Sequence, residues 1–407
     1  MDSLISKYFK FINFNLRNCF VILTINCFLH LIYGCQTSSH FTKISSSDCS
    51  QISKFFNQDN VIEKLDDISE LYFKKCYDEV ILLGPKLRTQ SRDKLYSLTA
   101  EVSEVFFPEG TFTEYTLESH ERAYLSLLIS LSYYQKNDRI SARVEFLKSI
   151  DDTQAQLYNY GNDLTILILQ ATLADTLDIQ IDSRPFWNKI AELSTDKNEF
   201  DIKKYAENRI SEIDSHKNRK FIIKALGYFP ELDWKPNFVN FSSHNNYTIT
   251  TKSEFPQFCT EEDNSNFILS TKSWFNKINL RYHTDYHPLL NFKSWARLPA
   301  GLTYGIATVS LGGAIIFGGC AIGSGNGRAN GGEICKASIE AGATIMSKST
   351  DIVAHTMEPD LRHWKHVPLV FLFGDSKFNI NSISFNCFKK LPEEAQQIRR
   401  TLFDPRS

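Results

Sequence analysis

Apolar positions recur at helical spacing from about residue 60 to residue 215. Val61, Leu65, Ile68, Leu71 and Tyr72 fall on one face of a 3.6-residue helix, and Val80, Leu83 and Leu87 on one face of the next. Gly84-Pro85 predicts the end of that second helix. A third is expected over Arg92 to Phe106, stopped by Pro108 and Gly110. Glu121 to Ile150 predicts two apolar helices around the polar turn Gln135-Lys136-Asn137-Asp138. Further helices are expected over Asp163 to Thr176, Pro185 to Leu193 and Glu199 to Ser215.

The pattern changes after the basic stretch 216–220. Phe221 to Phe241 mixes aromatic residues with turn-forming Pro and Gly, while Tyr247 to Thr251 and Asn266 to Thr271 read as short strands. From Leu298 to Gly327 there are 30 residues without a charged side chain, and 12 of the 18 Gly lie between 301 and 342. Gly305, Gly312 and Gly319 are seven apart, and Gly319, Gly323, Gly327 and Gly331 four apart, which places glycines on one helix face. In water each Gly costs a helix about 1 kcal/mol relative to Ala. Such a helix is sensible where backbones pack closely, in lipid or against another small-residue helix. Glu333 to Met357 supplies a partner, with Ile334, Ser338, Ala341, Ile345 and Ile352 on one stripe. A helical hairpin is therefore expected within 298–357, from Leu302 to Ile322 and from Glu333 to about His355. Val367 to Phe373 and Phe378 to Phe388 read as strands around Gly374-Asp375, and Pro392 to Leu402 as a short charged helix.

The pair within Glu121 to Ile150 resembles a tetratricopeptide unit, a helix-turn-helix repeat of about 34 residues. Ala142 occupies the small position of the second helix and Ser130 that of the first. Tyr133 falls on the aromatic position, Asn137 on the turn Gly, and Phe146 and Ser149 on the later aromatic and small positions. Small residues at 130 and 142 would let the helices approach, and Asn tolerates a left-handed turn. A weaker echo runs from Leu71 to Val80. The fold class expected is α+β: an N-terminal tetratricopeptide-like helical domain over 60–216, then a smaller mixed domain over 221–407 with strands and the Gly-rich hairpin. A generic helical bundle is the alternative for the first half.

The N-terminus changes the picture from fold to address. Lys7, Lys10 and Arg17 stand against one acid, Asp2, before an uncharged run from Cys19 to Gly34. A basic leader ahead of a short apolar stretch reads as a signal peptide, here over 1–34. Leu31-Ile32-Tyr33-Gly34-Cys35 resembles the lipobox of bacterial lipoproteins, which implies acylation at Cys35; Tyr33 is bulkier than the small residue usual there. An ordinary cleaved signal and a retained anchor are the other outcomes of such a leader. Residues 35–59, rich in Ser, Thr, Gln and Asn at their start, read as a polar tether. Gln36 is not the Asp that retains enteric lipoproteins in the inner membrane, so the outer membrane is the expected destination. Two or three acyl chains would hold the chain permanently at a membrane.

An exported chain sits where disulfides persist. Six Cys remain besides Cys35 after the leader: Cys49, Cys76, Cys259, Cys320, Cys335 and Cys387. They allow fifteen pairings. Cys320 and Cys335 flank the Gly-rich loop and are the favoured pair, with free buried thiols as the alternative.

Charge and motifs exclude more than they assign. Lys plus Arg total 45 against 47 Asp plus Glu, so there is no basic excess to neutralise a nucleic-acid backbone. His283-Thr-Asp285-Tyr-His287 has two His four apart, but Pro288 breaks the helix that would bring them to one metal. His363 and His366 make no stronger case for a metal site. Thr308-Val-Ser310-Leu-Gly312 half-matches a hydrolase nucleophile elbow, with Thr308 in place of its first Gly. The loop Gly323 to Gly332 lacks the Lys-Ser/Thr of a phosphate-binding loop.

Two further strings, Ala142-Arg143-Val144-Glu145 and Asp360-Leu361-Arg362-His363-Trp364-Lys365-His366-Val367-Pro368, join the lipobox and the Gly-rich helix. Together they resemble a family of uncharacterised bacterial envelope lipoproteins with tetratricopeptide-like repeats and a C-terminal α+β domain. The resemblance departs over the Asn/Ser-rich 237–295. It implies an envelope role and no reaction. Arg362 and Trp364, alternating with His363 and Lys365, are expected to pack the sheet against the hairpin. The expected function is a non-catalytic, lipid-anchored cell-envelope protein that binds another envelope protein, with no cofactor, metal, nucleic acid or small-molecule substrate. A membrane-inserting or pore-forming protein using 302–322 is the second reading.

Overall fold

Asn60 opens the first described helix: its side chain accepts the Ile62 N–H at 3.0 Å. The computed structural model describes residue 49 and residues 60–90, 115–154, 163–194, 200–215, 219–236, 247–260, 266–280, 306, 309–317, 331–347, 361–375 and 397–406. The leader 1–34 with Cys35, the expected helix 92–106 and the expected strand 378–388 lie outside these residues.

Helix α1 (Val61–Phe73) buries Leu65, Ile68, Leu71 and Tyr72, the face its spacing predicts. Lys75, at φ 64°, turns the chain into α2 (Tyr77–Gln90). Cys76 in that turn is disulfide-bonded to Cys49. Gly84-Pro85 does not end α2, as its sequence predicts; the helix runs through it. The reason is packing. A Cβ on Gly84 would stand 2.7 Å from Ile129 Cγ1 of the next helix, so Gly is kept for close approach rather than for a stop.

Helix α3 (Ser119–Gln135) is buried on every side from His120 to Ser132. Its serines satisfy themselves inside the core: Ser132 Oγ donates to Leu128 O at 2.8 Å and Ser126 Oγ to Asp152 at 2.7 Å. Helices α4 (Arg139–Gln154), α5 (Leu164–Thr176), α6 (Arg184–Leu193) and α7 (Phe200–Asp214) follow. Asp163 caps α5 by accepting the Ile166 N–H at 2.8 Å.

The second half builds strands β1 (Phe221–Leu226), β2 (Leu232–Pro236), β3 (Tyr247–Thr251), β4 (Cys259–Thr260) and β5 (Phe267–Ser270). They are followed by helix α8 (Lys272–Leu280), helix α9 (Gly331–Ser347), β6 (Val370–Asp375) and β7 (Arg399–Phe403). One antiparallel sheet has the order β4-β5-β6-β1-β7, and β2 pairs with β3 separately. The chain is thus mixed helix and sheet. Alternation does not predict β1, because the run Phe221–Leu226 is apolar at nearly every position. Both its faces are buried: Phe221 and Ile223 join the helical core, while Ile222 and Leu226 join a second cluster with Ile268, Val370 and Leu372. The helix expected over Pro392 to Leu402 is corrected at its end, where 399–403 pairs with β1. Leu402 and Phe403 are buried there, and the Tyr72 hydroxyl donates to Leu402 O, so tertiary pairing overrides the helical composition.

Residues on both sides of the composition change at 216–220 share one core, which runs from Val61 to Phe403. Tyr124 of α3 lies against Trp274, Trp364 and Phe371, with ring centroids 5.5, 5.4 and 5.9 Å away. Phe267 and Phe373 stack at 4.3 Å, and Tyr205 of α7 meets Phe267 at 4.6 Å.

A carboxylate sits at the centre of this junction. Glu121 is fully buried and accepts from the Tyr115 hydroxyl at 2.6 Å, from Glu118 N–H at 2.9 Å and from Trp364 N–H at 2.8 Å. Trp364 therefore fastens its segment to α3, where the strand-like alternation of 362–365 predicts packing on the hairpin. Glu121→Ala would leave two backbone N–H groups and a hydroxyl without an acceptor. It is expected to lower unfolding free energy by about 3 kcal/mol or more, read by chemical denaturation. Glu121→Gln, which keeps one acceptor oxygen, should lose less.

Candidate functional site

The helix pair α3/α4 is the first place to look, because its residues carry the repeat resemblance. Ser130 and Ala142 are both fully buried, and Ser130 Oγ donates to Ala142 O at 2.7 Å, so the two backbones meet where both side chains are small. Asn137 sits in the turn at φ 62°, the left-handed conformation Asn tolerates. Phe146 is buried and meets the Phe186 ring of α6 edge-on at 6.2 Å. Tyr133 is half-buried against the core. Gln170 of α5 donates to Ser149 Oγ at 3.1 Å, tying the pair to the next helix.

The outer side of α4 is different. Ile140, Val144 and Leu147 are 79%, 47% and 43% exposed, and their spacing puts them on one stripe. Arg139 and Arg143 are exposed beside them, and Arg139 lies over the Tyr134 ring at 3.5 Å. Behind the stripe, Arg88 of α2 donates to Glu145 at 2.5 Å, and Lys148 donates to the same carboxylate at 2.6 Å. Burial pushes the Glu145 carboxyl up, but the two cations outweigh it and hold the group below the ordinary carboxylate value. This ion pair braces α4 while its apolar stripe stays open.

Titratable chemistry gathers elsewhere, at the foot of α1. Asp66 Oδ1 accepts the His366 N–H at 2.9 Å, and the His366 ring lies 3.9 Å from both Asp66 and Glu70. His366 stacks on Tyr228 at 4.8 Å, and Arg400 covers Tyr228 and Phe73. Desolvation dominates here. It raises Asp66 to about 7 and, with Glu63 and Glu70 nearby, Asp67 to about 6, and it pushes the His366 imidazole down. An acid raised toward neutrality and an imidazole held below its ordinary value thus lie side by side. The geometry is that of a brace: Asp66 spends an oxygen on backbone, as Glu121 does, to hold segment 361–369 to a helix.

A third cluster is a network of buried and half-buried ion pairs. Arg209 of α7 donates to Asp175 of α5 at 2.7 Å, and the Trp187 indole of α6 donates to the same carboxylate at 3.1 Å. Ser183 joins Asp175, and Glu212 joins both Arg209 and Arg219. The arginine is buried, and Asp175 leads the interactions that hold its guanidinium above the ordinary value against desolvation.

Cys35 and Cys320 lie outside the described residues, as do His283, Asp285 and His287. Cys335 is disulfide-bonded. Cys49, Cys76 and Glu79 come within 4.8 Å of one another, but the disulfide consumes both thiols and leaves no metal ligand set. Ser310 stands on a helical stretch, 309–317, which is not the strand-to-helix turn of a nucleophile elbow. Sequence reasoning missed Glu121, Asp66 and the Asp175–Arg209 pair. Only Glu121 had a local signal, three residues after the helix-opening Glu118, the spacing of a capping box. No family model, curated protein or solved structure matches the chain.

The raised carboxyl has a measurable consequence. A carboxyl held at about 7 in the folded chain, against its ordinary 3.8, favours folding when protonated. Its contribution is complete below pH ~4 and is lost as pH rises through ~7. The depressed His366 works in the opposite sense below its ordinary value, so the informative quantity is the difference between variants. Asp66→Asn keeps the oxygen that receives His366 N–H. It is expected to unfold several degrees above wild type at pH 8, with the gap narrowing as pH falls below ~7 and closing near pH ~4, as read by thermal denaturation.

Proposed function

We propose that the protein is a non-catalytic, lipid-anchored component of a bacterial cell envelope, outer membrane favoured, that works as a protein-interaction scaffold. In this reading Cys35 carries the acyl anchor, and the polar segment expected over 35–59 acts as a spacer only ahead of Cys49, whose disulfide to Cys76 fastens the chain to the folded unit. The helix pairs act as tetratricopeptide-like units, with Ser130, Tyr133, Asn137, Ala142 and Phe146 as the packing residues of the best-formed one. The observation that carries the reading is the stripe Ile140, Val144 and Leu147 on α4, apolar and exposed, with Arg139 and Arg143 at its border. An amphipathic segment of a partner protein binds such a stripe by burying its own apolar face, and acidic residues on that segment would complement the arginines. Glu121 and Asp66 support the non-catalytic half of the reading, since both spend oxygens on holding backbone in place.

Two measurements test it. Mass spectrometry of the mature N-terminus is expected to find acylated Cys35; an intact Met1 on a freely diffusing chain defeats the anchor. Crosslinked envelopes should yield a reproducible protein partner with the wild-type chain. Val144→Glu, on the exposed stripe, should reduce its recovery about tenfold or more with the unfolding temperature unchanged. Equal recovery by both chains defeats the stripe as the docking face.

A further inference from the structure

Residues 309–317 form a helical stretch that packs on α9 through glycine. A Cβ on Gly342 of α9 would stand 2.6 Å from the Gly312 carbonyl oxygen and 2.4 Å from Ile316 Cγ1, so the two backbones are in contact there. The rest of the stretch faces outward. Val309, Ser310, Leu311, Ala314 and Phe317 are exposed, Phe317 at 80%, and Ile306 just before them at 66%. At helical pitch these positions cover an arc of about 200°, roughly twice the apolar stripe that a surface helix presents to a protein core. None is charged, and they lie within the 30 residues, Leu298 to Gly327, that contain no Asp, Glu, Lys or Arg.

Helix α9 completes the arrangement. Its Lys336 and Glu340 are exposed, and helical pitch sets them about 140° around α9 from Gly342. The charged face of α9 therefore points away from the uncharged stretch. One helix is uncharged over its whole outward arc, apolar there except for Ser310, and the helix behind it carries its charges beyond the face toward that stretch.

From this layering we propose that the helix pair docks on a lipid bilayer, lying in the interface. The stretch 309–317 enters the acyl-chain region, and the Lys336/Glu340 face of α9 stays at the headgroups. Lipid is the occupant because a protein groove covers one stripe of a helix, whereas acyl chains wet a wide arc without requiring polar partners. Lying in the plane follows from Lys336 and Glu340, whose charges would be costly at the bilayer centre. Among the described residues no helix is long and apolar enough to cross a membrane. This docking is independent of an acyl chain on Cys35 and of the α4 stripe.

The test places tryptophan on each face of the full-length protein, using vesicles of phosphatidylethanolamine and phosphatidylglycerol with or without acyl-chain-brominated phosphatidylcholine. Phe317→Trp and Lys336→Trp are each compared with the parent chain, and both positions are exposed, so neither disturbs the core. The Phe317→Trp difference emission is expected to shift to the blue with vesicles and to lose at least half its intensity to bromine. The Lys336→Trp difference emission should lose little. A Phe317→Trp emission that bromine leaves unquenched overturns the proposal, whether or not the chain binds vesicles elsewhere. Equal quenching of both positions overturns lying in the plane in favour of full insertion. Sedimentation without lipid covers the protein alternative: a dimer that Phe317→Glu dissolves would mean a second copy covers the surface, and lipid docking would fall. Loss of the Cys35 anchor would leave all these readouts unchanged, so the two proposals fail separately.

Discussion

A carboxylate buried beyond the reach of water must be given donors by the protein, and Glu121 receives three. Two come from its own neighbourhood, Tyr115 and Glu118. The third is the backbone of Trp364, 243 residues along the chain. That bond requires the segment before β6 to return across α3, and Asp66 repeats the device from α1 by taking the N–H of His366. Once 364 and 366 are tied to two different helices, the direction in which β6 leaves is set. Tyr124, Trp274, Trp364 and Phe371 then close around one another as the apolar filling of the same junction. Strand order follows, because β6 is the strand against which both β1 and β5 pair.

The far side of the sheet is tied to the helices by a buried ion pair. Arg209 sits over the Phe221 ring at the start of β1, and Asp175 holds its guanidinium from α5. Thr176, the next residue, accepts the Phe221 N–H at 3.1 Å. Removing either partner of such a pair costs more than the pair contributes, since the other charge is left buried and uncompensated. These ionic joints give the interface specificity, and the aromatic packing between them supplies most of the favourable free energy through buried area.

Much of this was legible as spacing. The buried face of α1 is readable from apolar recurrence, because a helix that touches a core on one side advertises the contact every three to four residues, whereas α3 and α5, buried nearly all round, are readable from their apolar content. Where reading failed, tertiary contacts outweighed local chemistry. Gly84-Pro85 looks like a stop, yet the close approach to Ile129 makes that glycine an interior residue of α2. The residues around 399–403 look helical in isolation and become a strand because β1 offers an open edge. Glu121 and Asp66 were invisible as anchors, since nothing local marks an acid whose partner is a backbone group hundreds of residues distant.

Ile140, Val144 and Leu147 illustrate the converse, and the width of an apolar surface then argues for what covers it. Their spacing is indistinguishable from that of a buried stripe, and only the packing of α3, α4 and α2 reveals that it faces outward. These three positions occupy about 60° of the circumference of α4, with two arginines along one border. That is the width of a seam, which one opposing helix can cover while its own side chains answer the charges. The arc of 309–317 is about three times as wide and has no charge within it or at its borders in the described stretch. A single opposing helix would leave most of it wet. The difference in width is why we propose different solvents for the two surfaces: a complementary protein face for the first, and hydrocarbon for the second.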